Sequence, residues 1–380
     1  MVNPQPEVIS LSQKLIRRKS VTPDDDGCQQ VISHLLSNSG FEILHQRIEN
    51  VDNFFAWHGD SGDIGLLFVG HTDVVPSGDE KLWESPPFAA EIKKGELIGR
   101  GAADMKSSVA AFVLAAKNFV NQFPQHKGKL AVMLTSDEEG EAINGIQKFM
   151  PIIAKQHLFD FCLVGEPSSS ETLGDIARIG RRGSLHVQIT IHGKQGHVAY
   201  PENAVNPVFI SADFIRDLSK QSWDKGNEDF PPTSFQISSV RTSTNVSNII
   251  PGDLIIEANF RYNPESNEIS LIRQIRQLLE KHNLKNAIKT NLSGKPFYST
   301  SKRLKNALSD AIRETVQKDV EFNTAGGTSD GRFIAPFGID VVEFGLINKT
   351  IHQINERVDV DDIVNLEKIY FKVIENILNK

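Results

Sequence analysis

The chain has 380 residues, 39% hydrophobic and 23% charged, with a net charge of -7. That balance excludes a disordered polypeptide, and a mildly acidic chain whose densest basic run is Arg17-Arg18-Lys19 is a poor nucleic-acid binder, because phosphate contacts need clustered Lys and Arg. Two isolated cysteines, Cys28 and Cys162, exclude a disulfide scaffold; with no apolar leader and no run of about 18 apolar residues, a cytoplasmic protein that engages no membrane is expected.

In chain order, helix periodicity predicts Glu7–Lys19 and Gln29–Leu36, then an apolar strand at Ile64–Val69. A helix is predicted over Ser108–Val120, with Ser107-Ser108 as its cap, followed by a strand at Leu130–Leu134, a helix at Ala142–Ala154 and a strand at Phe161–Val164. Short apolar strands alternating with helices argue for an open, mixed but mostly parallel α/β sheet. The texture changes near Gly180. Ser184–Gly193 alternates apolar and polar, a helix pattern covers Pro207–Leu218, strands follow at Ser234–Val240 and Leu254–Phe260, then a helix at Ile269–Lys281 and a strand at Ala287–Leu292. This β-α-β-β-α-β order is ferredoxin-like. The α/β texture then returns with helix Lys302–Val316, strand Val341–Phe344 and helix Asp362–Leu378. The predicted organisation is a discontinuous α/β domain, 1–179 plus 295–380, with an inserted α+β domain at 180–294.

In open α/β sheets, ligands gather beyond the carboxyl ends of the strands. The three N-terminal-half strands run out at Gly70-His71-Thr72-Asp73, Ser136-Asp137-Glu138-Glu139-Gly140 and Gly165-Glu166-Pro167. His352 follows the last strand, and Asp104 stands between Gly101 and a helix start. An acid between a strand and a helix often only complements the helix dipole, and a lone histidine after an apolar strand is more often structural. The argument rests on the set. One His, one Asp and one Glu suffice for one zinc, whereas five candidate ligands exceed what a tetrahedral catalytic zinc needs and suit two metals sharing a carboxylate. Asp73, two residues after His71, is positioned to accept a hydrogen bond from the ring nitrogen that does not bind metal. Glu138 and Glu139 are adjacent and cannot point the same way, so one can ligate while the other stays free as a general base.

These motifs resemble the dinuclear zinc family of aminoacylases, glutamate-releasing carboxypeptidases, acetylornithine deacetylase and succinyl-diaminopimelate desuccinylase, over essentially the whole chain. Gly70-His71-Thr72-Asp73-Val74-Val75-Pro76 and Gly99-Arg100-Gly101-Ala102-Ala103-Asp104-Met105-Lys106 carry the family-wide resemblance. Arg181–Leu185, Gly326–Phe333 and Ile351–Glu356 look like its desuccinylase members in particular. The resemblance implies two zinc ions per subunit, with cobalt able to replace one. It implies that Asp104 bridges them, that His71 and Glu166 complete one site, and that Glu139 and His352 complete the other. Glu138 is then the general base and Asp73 orients His71. The inserted domain is implied to be a lid through which a homodimer forms, and His197 to reach the partner's active site and stabilise the oxyanion. The chain departs from the family pattern at Ser107, Glu202 and Ser247, none of them a metal ligand.

The small-molecule substrate implied is N-succinyl-LL-2,6-diaminopimelate, an intermediate of lysine and cell-wall precursor synthesis. Its three carboxylates call for cationic and amide donors, and arginine suits bidentate carboxylate recognition. The candidates are Arg181, Arg182 and Arg261 with Tyr200, Asn248, Gly327 and Thr328. Neighbours on a strand point to opposite sides, so only one of Arg181 and Arg182 faces substrate, and Arg182 is favoured. The alternatives are an acetylornithine deacetylase or general aminoacylase, and a catalytically silent binding paralogue.

Overall fold

The structure, a computed structural model, describes residues 5–60 and 64–379. It divides into two compact units, one of Met1–Gly180, Tyr298–Asn323 and Ser329–Lys380, the other of Arg181–Phe297 and Thr324–Thr328. Among the described residues no helix is long and apolar enough to cross a membrane. Cys28 and Cys162 are both buried and unpaired.

In the first unit, eight strands among the described residues form one sheet, in the order Glu42–Ile48, Val51–His58, Lys129–Thr135, Gly65–His71, Phe161–Val164, Asp340–Glu343, Ile176–Arg178, Glu321–Asn323. The central strands pair in parallel: Gly65–His71 lies between Lys129–Thr135 and Phe161–Val164, and the latter pairs with Asp340–Glu343. Every residue of Gly65–His71 and Lys129–Thr135 is buried, which is why both read as continuous apolar runs rather than alternating ones. Leu66 and Phe68 join the core formed with the Ser107–Gln122 and Val360–Leu378 helices, while Leu67 and Val69, pointing the other way, are buried as well.

Phe68 stacks on Phe112 with ring centroids 4.1 Å apart, and Phe112 also meets the Tyr370 ring edge-on at 5.4 Å. Phe112→Ala is expected to cost about 3–5 kcal/mol, since the site is enclosed by three elements and cannot collapse. Urea unfolding reads this directly, and a loss below about 1 kcal/mol would show that the cavity closes at little cost.

The first unit departs from the sequence expectation at several places. A hairpin of Glu42–Ile48 and Val51–His58 starts the sheet, turning at Glu49-Asn50 with Glu49 in the left-handed region. Its first strand alternates weakly and is largely exposed, so periodicity hides it. The helix expected at Ala142–Ala154 spans only Ile146–Ile153, because the Asp137 carboxylate accepts N–H bonds from Ala142, Ile143 and Asn144 and holds them in a turn. The first helix ends at Ile16, leaving Arg17 as its C-cap. Ser107 and Ser108 lie inside the helix they were expected to cap: Ser107 already has helical torsions, because the preceding turn, closed by Lys106 N–H to Gly101 O, leads straight into it.

In the second unit, an antiparallel sheet runs in the order Ser234–Thr242, Asp253–Tyr262, Gly183–His192, Asn286–Gly294. Strict alternation along Asp253–Tyr262 buries Leu254, Ile256, Ala258, Phe260 and Tyr262. This face packs with the Ala212–Lys220 and Glu268–Lys281 helices, the second of which is closed by a capping box between Asn267 and Ser270. The expected helix over Pro207–Leu218 is broken at Ser211, whose hydroxyl donates to Pro207 O at 2.7 Å. Thr324–Thr328, placed in the larger domain from chain order, belongs to this unit, where the Thr324 hydroxyl donates to Asp229 O at 2.5 Å.

Candidate metal centre

Three parallel strands of the first unit end on a shared rim, and the chain leaving each delivers metal-competent side chains to it. His71 is the last residue of its strand, Glu138 and Glu139 follow Thr135 by three and four residues, and Glu166 follows Val164 by two. Asp104 arrives from a tight turn rather than a strand. Gly101 enters that turn with φ +84°, and a Cβ there would come within 2.6 Å of Val74, so glycine is required. Asp104 itself is non-helical (φ -121°, ψ 97°). His352 is presented with φ 60°.

The ligand atoms of His71, Asp104 and Glu166 all lie within 4.8 Å of one another, as do those of Asp104, Glu139 and His352. Asp104 belongs to both groups and divides its oxygens between them. Oδ1 is 3.1 Å from His71 Nε2, and Oδ2 is 3.4 Å from His352 Nε2. His352 Nε2 is also 3.0 Å from Glu139 Oε1, and His71 Nε2 is 3.9 Å from Glu166 Oε1.

His71 Nδ1 donates to the main-chain oxygen of Asp73 at 2.9 Å, which leaves Nε2 as the nitrogen able to bind a metal. The sequence reading gave that acceptor role to the Asp73 carboxylate. The carboxylate sits 3.6 Å from Nδ1 and instead accepts from the Glu139 N–H at 3.1 Å and the Glu138 N–H at 3.4 Å. Asp73 therefore touches His71 through its backbone and steadies the Glu138-Glu139 turn through its side chain. Asp137 anchors the other end of that turn.

Carboxylates outnumber imidazoles here. Burial pushes the Glu138 and Glu166 carboxyls well above the usual range, and neighbouring carboxylates push each further. Hydrogen bonds to Asp104 and Glu139 push His352 up to about 10. Burial would raise Asp104, yet its bonds to His352 and His71 hold it well below the ordinary range. Two N/O donor sets sharing one carboxylate, with an excess of negative charge, fit two divalent cations.

Of the buried acids to which the sequence assigns no role, Glu356 and Asp330 act on this centre. Glu356, fully buried, accepts from Arg100 and from three backbone N–H groups of the Asp104 turn. Its signal in the sequence is an acid four residues after His352 in the same motif. Asp330, in the Gly326–Phe333 motif, is buried with neither carboxylate oxygen hydrogen-bonded, and burial pushes it up to about 7.

The other predicted residues belong to the second unit. His197 lies in a two-residue ladder against Ile249–Ile250, its Nδ1 accepting from the Ala199 N–H at 3.0 Å. Its ring is 5.8 Å from that of Tyr200, and Asn248 O accepts from the Val198 N–H, so His197, Tyr200 and Asn248 form one neighbourhood. Arg181 is buried and donates to Ala325 O at 2.7 Å. Gly326, with φ +100°, lies so close that a Cβ there would come within 2.3 Å of the Arg181 guanidinium. Arg182 is half-buried with its Nε hydrogen-bonded to nothing. Arg261 pairs with Ser184 and Ser234 in the sheet. Gly327 is exposed and Thr328 partly so.

Residues 67–376 match the model of peptidase family M20/M25/M40. A succinyl-diaminopimelate desuccinylase of Thioalkalivibrio sulfidiphilus (strain HL-EbGR7) is 47% identical over 373 residues, 98% of this chain and 99% of that protein. Among solved structures, an M20 family metallo-carboxypeptidase from Sulfolobus solfataricus superposes with a TM-score of 0.79 at 16% identity, covering 98% of this chain and 99% of the other. A Bacillus subtilis protein described as a dinuclear metal binding peptidase of the M20 family gives 0.74 at 14% identity, covering 97% and 96%. The structural likenesses are of fold, and the family match spans both sets of clustered donors: the chain belongs to peptidase family M20/M25/M40.

Proposed function

We propose that this protein is a two-metal amide hydrolase that cleaves N-succinyl-LL-2,6-diaminopimelate to succinate and LL-2,6-diaminopimelate, in lysine and diaminopimelate biosynthesis. The observation that carries the metal chemistry is the division of the two Asp104 oxygens between two donor groups. The substrate assignment is supported by the full-length likeness to the desuccinylase at 47% identity. In this reading two zinc ions, one of them replaceable by cobalt, would be held by His71, Asp104 and Glu166 and by Asp104, Glu139 and His352, with Asp104 common to both sets.

When bound, the metals supply polarisation of the amide carbonyl and acidification of water. Glu138 takes the proton of the attacking water and returns it to the amine nitrogen as the C–N bond breaks, so one water is consumed and no proton is left over. Asp73 keeps Glu138 in place through the backbone of the turn. Arg182 and Arg261 bind substrate carboxylates, with Tyr200, Asn248, Gly327 and Thr328 as further contacts. Arg181, spent on Ala325 O, shapes the 324–328 loop that carries two of them. His197 donates to the oxyanion in the site of a second copy of this chain, the two copies meeting through the second unit. A cytoplasmic location fits this biosynthetic role.

The purified protein, assayed during zinc titration, is expected to bind about two metal equivalents and to prefer N-succinyl-LL-diaminopimelate over N-acetylornithine by at least ~10²-fold in kcat/KM, since a site built to pair several carboxylates rejects a substrate lacking them. Preference for acetylornithine would make it a deacetylase or general aminoacylase. Absence of both metal and metal-restored activity would make it a silent paralogue.

A further inference from the structure

We propose that Glu356 is the positioning residue of the metal centre, setting Asp104 and His352 in a common geometry from a single loop. The proposal rests on the two-metal reading and concerns a residue to which that reading gives no task.

Both oxygens of the buried carboxylate are used, and all four donors come from one stretch of chain. Oε2 accepts from Arg100 Nη1 at 2.8 Å and from the Gly101 N–H at 3.0 Å. Oε1 accepts from the Ala103 N–H at 2.8 Å and the Asp104 N–H at 3.0 Å. The last of these fixes the peptide that carries the shared carboxylate. The main-chain oxygen of Glu356 accepts from the Gly99 N–H at 2.9 Å, and Arg357, the next residue, pairs with Ile98 in a small antiparallel sheet. The C-terminal segment is thereby zipped along the chain from Glu96 to Asp104.

His352 stands four residues before Glu356 in the same loop. Two left-handed residues, His352 (φ 60°) and Asn355 (φ 63°), turn this short segment so that its imidazole meets Asp104 Oδ2 and Glu139 while its carboxylate grips the Asp104 backbone. Arg100 extends the brace. Its guanidinium lies 5.3 Å from the Trp83 ring and donates to Pro76 O at 3.3 Å, tying the Asp104 turn to the chain that leaves the His71-Asp73 strand end.

A buried ion pair that only stabilises the fold would show the same Arg100–Glu356 contact. It does not require that both oxygens accept from backbone N–H groups of the turn that carries a candidate ligand, or that the carboxylate share a loop with another. Outer partners of metal ligands set their orientation, and altering one costs about 10–100-fold in metal affinity.

The test is metal affinity and geometry. Metal-free wild type, Glu356→Gln, Glu356→Asp and Gln353→Ala are titrated with Zn2+ and Co2+ against a competing chelator. The absorption spectra of the Co2+-loaded proteins and the melting of the metal-free forms are recorded alongside. Glu356→Gln keeps the shape but turns an N–H2 toward two N–H donors; Glu356→Asp keeps the charge but is too short to reach all four. Both are expected to weaken binding of both equivalents by about 10–100-fold and to shift the Co2+ bands, whereas Gln353→Ala, an exposed change in the same loop, leaves both as in wild type. Wild-type affinity and spectra in either folded Glu356 variant overturn the proposal. So does failure of both variants to fold with metal present, which makes Glu356 a residue of the fold alone. Failure of wild type itself to bind two metals overturns the two-metal reading instead.

Discussion

Asp104→Ala is expected to empty both metal positions at once and to lower kcat/KM by about four orders of magnitude or more, a rise of roughly 5.5 kcal/mol in the barrier, because carbonyl polarisation and water activation are lost together. The reason is geometric. Each oxygen of this carboxylate serves a different histidine, so there is no half of the centre that does without it. Asp104→Asn separates the two halves. An amide keeps one acceptor oxygen and presents N–H2 at the other position, so at most one metal equivalent is expected to remain. Metal analysis after exhaustive dialysis, with kcat/KM on the same samples, checks both variants. Two tightly held equivalents in Asp104→Ala would show that Asp104 is not shared between the metals.

Glu138→Gln is expected to do the reverse: both metals stay, KM moves little, and kcat falls by about 10²–10⁴-fold, the usual contribution of a positioned general base. The turn should survive the change, because it is held by the Asp73 and Asp137 carboxylates through backbone N–H groups and not by the Glu138 side chain. The acid limb of the pH–rate profile, where a carboxylate base gains its proton, should disappear with the residue. Near-normal turnover with full metal content would remove Glu138 from the mechanism. Together the two variants form a crossed test: one loses metal, the other loses only the proton transfer.

Adjacent carboxylates with different tasks are hard to tell apart by spacing, and Glu138 and Glu139 show why. The strand Lys129–Thr135 places both at the rim, and the rule that neighbours diverge says only that their tasks differ. The structure puts Glu139 Oε1 3.0 Å from His352, a residue 213 positions later. No local pattern encodes that distance. The same holds for Glu356, which acts on Gly101, Ala103 and Asp104 from more than 250 positions away.

What the sequence by itself determined is the class of the fold and the kind of chemistry. Unbroken apolar runs such as Leu66-Leu67-Phe68-Val69 specify strands covered on both faces, the alternation at Leu185-Val187-Ile189-Ile191 specifies a half-covered sheet, and metal-competent side chains stand at strand ends where ligands collect. These are properties of period and of order along the chain. Only the tertiary structure decided that Asp104 turns its two oxygens toward different histidines, that Asp73 meets His71 by its backbone while its carboxylate steadies Glu138, and that Thr324–Thr328 joins the second unit. Each depends on where hydrogen-bond donors from distant segments come to lie, and a buried carboxylate takes whichever donors the packed chain brings within about 3 Å.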